Sequence, residues 1–177
     1  MPDITEETSR QQIEDLFREH YSLVYRTAFR ITGRAEDTED VVQSLFLRLL
    51  RRGLPPDFFR NPKGYLYRAA VNISLNAVES RQRYVFGDDS VTREIPDTSA
   101  NNGLNSELDV HREWFSRALL QLRPRAVEIL LLRYEKDYSD AEIARMLGTS
   151  RGVIAISLFR SRARLKTILR EFREKQL

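Results

Sequence analysis

Between Ser139 and Leu165 the chain reads SDAEIARMLGTSRGVIAISLFRSRARL, and few folds accommodate that order of residues. Ser139 and Glu142 form an S-x-x-E capping box, in which the hydroxyl accepts from an orphan backbone N–H and the carboxylate reaches back to another. Ile143, Met146 and Leu147 follow at helical spacing, and Gly148 supplies a residue able to take positive φ just past a helix end. Ser150 is a candidate N-cap for a second helix. Along it Ile154, Leu158 and Leu165 line one stripe, while Arg151, Phe159, Arg160, Arg162, Arg164 and Lys166 fall outside it. Two helices joined by a tight turn, the second basic, form the arrangement that enters a DNA major groove. The same pattern fits a helical hairpin with a solvated basic face, so the rest of the chain has to decide between them.

A length of 177 residues allows one domain or two small ones. Charged residues make up 31% of the chain, with only 7 Gly and 6 Pro, a balance that favours helices. The absence of cysteine excludes disulfides, thiolate metal sites and cysteine nucleophiles. The first residues, MPDITEETSRQQIEDLF, are acidic where a signal peptide needs a basic patch and an apolar run. The longest strongly apolar run, Ile129 to Leu132, is too short to cross a bilayer. A soluble, cytoplasmic protein without membrane insertion is expected. The net charge of +3 hides a segregation: −5 over residues 1–47, +6 over 48–85, −5 over 86–110 and +7 over 111–177. Two basic stretches divided by an acidic one suggest two anion-binding surfaces on one chain, against the plainer alternative of helices that alternate solvated faces.

Ile13, Phe17, Tyr21, Val24, Ala28 and Ile31 recur at three and four, predicting an amphipathic helix over 11–32 with these side chains in the core and its end near Gly33. The next stretch, AEDTEDVVQSLFLRLLRRG, places acids in the first turn, Val42, Leu45, Phe46 and Leu49 inside, and Arg48, Arg51 and Arg52 at the end, complementing the helix dipole. Pro55 and Pro56 then break the helix and leave Phe58 and Phe59 in a loop. Asn61 caps a third helix with Pro62 at its first position. Its buried stripe is Leu66, Ala69 or Ala70, Ile73 and Ala77, and its other face carries Arg68, Asn72 and Asn76, followed by Arg81 and Arg83. From about Phe86 to Ser106 periodicity is lost among Asp, Ser, Asn, Gly and Pro, as in a linker. Helices near 108–122 and from Pro124 to about Lys136 precede the helix-turn-helix, whose last helix reaches about Arg173.

Signatures of catalysis are missing. His20 and His111 fall in different units, so neither a metal pair nor a Ser/His/Asp system is supported. No glycine pattern forms a phosphate-cradling loop. Carboxylate pairs such as Glu36 with Asp37 and Glu39 with Asp40 sit in a first helical turn, where the dipole explains them. No enzyme, metal or cofactor is expected. Phe58, Phe59, Tyr65 and Tyr67 interleave with Arg60, Lys63 and Arg68, the mixture on which single-stranded bases stack, although core packing accounts for at least two of the four aromatics.

Two stretches together resemble the bacterial sigma factors, specifically the extracytoplasmic-function (ECF) branch of the sigma-70 family. AEDTEDVVQSLFLRLLRR followed by NPKGYLYRAAVNISLNAVESRQR resembles sigma domain two, and LLQLRPRAVEILLLRYEKDYSDAEIARMLGTSRGVIAISLFRSRARLK resembles domain four. The resemblance implies an all-α fold of two small helical domains: domain two at 10–85, a flexible acidic linker at 86–108, and domain four at 109–173 with its helix-turn-helix at about 139–160. It implies a promoter-specificity subunit that directs initiation and strand opening, with core RNA polymerase, promoter DNA and an anti-sigma factor as partners. Asp40, Gln43, Leu47 and Arg48 would bind polymerase. Phe58, Phe59 and Arg60 would hold a flipped base of the single-stranded −10 element, Lys63, Tyr65, Arg68, Asn72 and Asn76 would line the strand's path, and Arg81 and Arg83 would hold phosphates. Arg151, Ala155, Ile156, Phe159 and Arg160 occupy the family's major-groove positions at the −35 duplex, with Arg162, Arg164 and Lys166 nearer the backbone.

The chain departs from the family at several of these positions. Ser44 stands where the second helix usually has Glu. Asn76 and Glu79 replace a usual Asp and Arg, so Glu79 sets a negative charge on a helix expected to face phosphates. Ala155, Ile156 and Ser157 replace a Lys-Ser-Arg type run, so readout would lean on apolar contact with thymine methyls, or else Ile156 is buried against a partner. Two other readings stay open: a dimeric helix-turn-helix regulator acting without polymerase, and a helical adaptor that binds only proteins.

Overall fold

The computed structural model describes residues 4–86 and 107–174, and side chains from 11–83 and 110–174; the expected acidic linker lies outside these apart from its ends. Among the described residues seven helices follow in order: α1 Ile4–Thr32, α2 Ala35–Arg52, α3 Pro62–Phe86, α4 Glu107–Leu120, α5 Pro124–Glu135, α6 Asp140–Leu147 and α7 Arg151–Glu174, with a 3₁₀ turn at Phe58–Arg60. Among the described residues there is no strand.

Local chemistry sets most boundaries. Gly33 ends α1 at φ 71°, donating to the Phe29 carbonyl over 2.9 Å. A Cβ at Gly33 would stand 3.3 Å from the Cβ of Arg112, so glycine also lets α4 cross close to this corner. Asn61 caps α3 by accepting from the Gly64 N–H at 2.9 Å. The box at Ser139 forms in full: its hydroxyl accepts from the Glu142 N–H, and the Glu142 carboxylate accepts from the Ser139 N–H at 2.8 Å. Gly148 closes α6 in the left-handed region at φ 63°, and Ser150 accepts from the Val153 N–H at 3.4 Å to open α7.

Two cores result. In the front half, Ile13 and Val24 of α1 pack with Val42, Leu45, Phe46 and Leu49 of α2, with Phe58 of the 3₁₀ turn, and with Leu66 and Ala70 of α3. The rear core gathers Leu119 of α4, Val127 and Ile129–Leu132 of α5, Ile143, Ala144 and Leu147 of α6, and Ile154 and Leu158 of α7. It also takes in Ile31, Tyr67, Val71, Leu75 and Val78 from α1 and α3. The two halves therefore share the rear core, and α3 contributes to both cores.

The expected burial of Phe17 and Tyr21 needs correction: Phe17 is 37% exposed and Tyr21 is exposed as well. Four-residue spacing puts Phe17, Tyr21, Tyr25 and Phe29 in one run, but only the later two, Tyr25 and Phe29, are half-buried, so neighbouring helices cover the run unevenly along its length. They form a ladder with ring centroids 5.3, 5.6 and 6.3 Å apart. Phe46 meets the ring of Phe17 edge-on at 4.9 Å, which covers part of it.

Ser139→Ala removes the hydroxyl that accepts from the Glu142 N–H, leaving only the backbone half of the box, and is expected to lower unfolding stability by about 1 kcal/mol, read from the midpoint of urea denaturation.

Candidate nucleic-acid interface

On α2 the residues expected to bind polymerase form one exposed face. Asp40, Gln43, Ser44, Leu47 and Arg48 are all exposed, opposite the buried Val42, Leu45, Phe46 and Leu49. Leu47 is 47% exposed and Leu50 lies beside it, so the face has an apolar centre with polar and charged residues around it, the composition of a protein-docking surface.

Pro55 and Pro56 turn the chain into the 3₁₀ segment, where the two phenylalanines separate. Phe58 is 1% exposed and meets Tyr65 at 5.3 Å, whereas Phe59 is 65% exposed. The surface that a base can reach is therefore Phe59 with exposed Arg60 and Lys63, and Phe58 anchors it from below. Tyr67, the fourth aromatic, is fully buried in the rear core. Burial, with Glu135 and Glu128 nearby, raises its phenol well above the usual range. Its oxygen finds no hydrogen-bond partner among the described residues.

Along α3, Tyr65, Arg68, Asn72 and Asn76 do share an edge, the strip left between the two buried faces. Asn72 and Asn76 are exposed, while Tyr65 and Arg68 are half-buried, with Arg68 Nε donating to the Gly64 carbonyl at 3.2 Å. Arg83 lies 4.0 Å from Glu79 on the same exposed edge, so Glu79 offsets its charge. Arg81 is placed elsewhere. Its guanidinium is largely buried, donates to Asp37 of α2 and, at 2.8 Å, to Glu113 of α4, and reaches the Thr32 carbonyl at 3.3 Å. Arg81 thus ties α3 to α1, α2 and α4 and faces away from the exposed edge.

Sequence reasoning missed the groups that join the halves. Asn61 uses its oxygen to cap α3 and its nitrogen to donate to the Met146 carbonyl of α6 at 2.9 Å. Glu128, buried in α5, accepts from Arg125 at 2.9 Å. Burial pushes its carboxyl above the ordinary range, although Arg125 and the charge of Arg68 oppose the shift. The available signal was the second stripe on α3: Tyr67, Val71, Leu75 and Val78 also recur at four and three.

In the rear half, Arg125 donates to the Leu147 carbonyl at 2.6 Å and so holds the end of α6 against α5. Glu142 is held below the usual carboxylate range by its hydrogen bonds to Ser139. On α7 the expected groove residues Arg151, Ala155, Ile156, Phe159 and Arg160 are all exposed, as are Arg162, Arg164 and Lys166. Arg162 donates to the Tyr134 hydroxyl at 2.7 Å.

Comparison with known proteins agrees with this geometry. Residues 16–84 match sigma-70 region 2, and residues 112–165 match sigma-70 region 4. The ECF RNA polymerase sigma factor SigL of Mycobacterium tuberculosis is 32% identical over 160 residues, covering 88% of each chain. The chain belongs to the ECF sigma factors. RNA polymerase sigma factor YlaC of Bacillus subtilis is 27% identical to this sigma factor over 168 residues, covering 94% of this chain and 97% of that one. Its fold resembles the sigma factor RpoE solved in complex with the anti-sigma factor NepR from Bartonella quintana. That match has a TM-score of 0.51 and 20% identity, and covers 90% of this chain and 98% of that one. None of these likenesses supports a dimeric regulator. Among the described residues no helix is long and apolar enough to cross a membrane, and no cluster of His, Cys, Asp and Glu could hold a metal ion.

Glu113→Lys places a second cation against Arg81 in a largely buried site. A loss of roughly 1–3 kcal/mol in unfolding stability is expected, and Glu113→Gln, which keeps a hydrogen-bond acceptor, is expected to lose less.

Proposed function

We propose that this sigma factor selects promoters and nucleates strand opening as a dissociable subunit of core RNA polymerase, with residues 10–85 acting as domain two and 109–173 as domain four. The observation that supports this most strongly is the presence on one chain, in family order, of a polar aromatic edge suited to unstacked bases and a basic helix suited to a duplex groove. The α2 face of Asp40, Gln43, Leu47 and Arg48 docks on polymerase. Phe59, Arg60, Lys63, Tyr65, Arg68, Asn72 and Asn76 hold the single-stranded −10 element, and stacking on captured bases offsets part of the cost of opening the duplex. Phe58 and Arg81 act here as positioning groups, the first beneath the loop and the second between helices, while Arg83 reaches phosphate.

Domain four reads the −35 duplex through Arg151, Ala155, Ile156, Phe159 and Arg160, with Arg162, Arg164 and Lys166 toward the backbone. The protein carries out no chemistry of its own and works in the cytoplasm, where polymerase and promoter are. Because two promoter elements lie apart on one duplex, the packed halves must separate on binding. An anti-sigma factor is the expected regulator, in keeping with the partner named for the RpoE structure.

Gel shifts with duplex and with a pre-melted bubble, each with and without core polymerase, test this reading. Bubble binding that depends on polymerase is expected, and operator-like duplex binding unaffected by polymerase contradicts it. Tyr65→Ala or Asn72→Ala is expected to reduce open-complex formation, read by permanganate reactivity, while −35 duplex affinity stays unchanged. Arg160→Ala is expected to weaken −35 binding and, if the side chain meets a phosphate, to lower the slope of log affinity against log salt by about 1.

A further inference from the structure

Helix α7 has an unusual cross-section. With each residue turning about 100°, the buried Ile154, Leu158 and Ser161 and the half-buried Leu165 mark its inner face. Directly opposite run Gly152, Ile156, Phe159 and Ala163, all exposed, with Ala155 beside them. Ile156 is 54% exposed and Phe159 is 71% exposed, and no side chain of this strip can donate or accept a hydrogen bond. Cations flank the strip: Arg151, Arg162 and Lys166 along one edge, Arg160 and Arg164 along the other. Arg151, Arg160, Arg164 and Lys166 have no side-chain partner among the described residues, and from Arg151 to Arg170 the sequence holds no acid.

We infer that this strip reads the −35 element through thymine C5-methyl groups, so that this sigma factor is selective for thymines on the floor of the groove beneath Ile156 and Phe159. The inference rests on the proposed role of domain four in binding duplex DNA. Charge complementarity favours DNA as the occupant: a major groove offers phosphates along both walls, matching cations on both edges, whereas a protein groove would need two separate acidic rims. The floor of that groove decides the base. Adenine and guanine present N7 with N6 or O6 there, and cytosine presents N4 and no methyl, so an apolar strip would take those polar groups out of water without replacing their hydrogen bonds. The thymine methyl has no such requirement and gains by leaving water. Hydrogen-bonded readout is left to Arg151 and Arg160 at the edges.

The test uses holoenzyme reconstituted from the full chain and core polymerase. Its preferred −35 sequence is selected from randomised duplexes, and each thymine in it is then replaced by deoxyuridine, which lacks only the methyl. A loss of about three- to fivefold in affinity is expected for each methyl beneath the strip. Ile156→Ser and Phe159→Ser, both at exposed positions, are expected to leave the thermal midpoint unchanged. Each should weaken binding to the thymine duplex and remove the difference between thymine and deoxyuridine at its own position. A selected sequence without thymines there, or one bound equally well with deoxyuridine, overturns the inference alone and leaves the strip to a protein partner. Failure to select any sequence beyond what core polymerase binds overturns the inference together with the proposed role of domain four.

Discussion

The arrangement depends on helix α3 being buried on two sides at once. Leu66 and Ala70 enter the front core, and Tyr67, Val71, Leu75 and Val78 enter the rear one. A helix held in this way keeps one narrow strip of surface, and Asn72 and Asn76 occupy it between half-buried Tyr65 and Arg68. The polar edge is thus fixed by what is buried on either side, because the side chains that set its orientation are the ones withdrawn from water. The same sharing means that any separation of the halves would be felt at this polar edge.

The polar groups at the junction have a different role from the apolar ones. Arg81 satisfies Asp37 and Glu113, and Asn61 serves both its own helix and the Met146 carbonyl, so each of these polar groups drawn into the junction keeps a partner. Tyr67 leaves its hydroxyl unpaired among the described residues, and Glu128 is buried at the expense of a raised carboxyl pKa.

The helices were legible in the sequence because their signals are local. The capping box at Ser139, the left-handed Gly148, the Asn61–Pro62 start and the proline break at Pro55 each act within one turn of chain, and each stands where expected. The exposed face of α2 and the outward residues of α7 were also legible, since each lies opposite a clear apolar stripe. Phe17 and Tyr21 were misread because helical spacing marks a face of α1 but not whether a neighbouring helix covers that face at a given level, and Tyr25 and Phe29 further along the same run are half-buried. Phe58 and Phe59 are adjacent and chemically identical, so only the direction of the 3₁₀ turn separates the anchor from the exposed ring.

The sequence by itself determined the helical segments, the caps at Asn61, Ser139 and Ser150, and a basic final helix, since hydrogen bonding and periodicity act over a few residues. Tertiary structure alone decided that α3 has two buried faces, that Arg81 is consumed between helices, and that the halves share the rear core. The reason is physical: an amphipathic pattern records which residues avoid water, but the identity of the surface that covers them depends on chain segments tens of residues away.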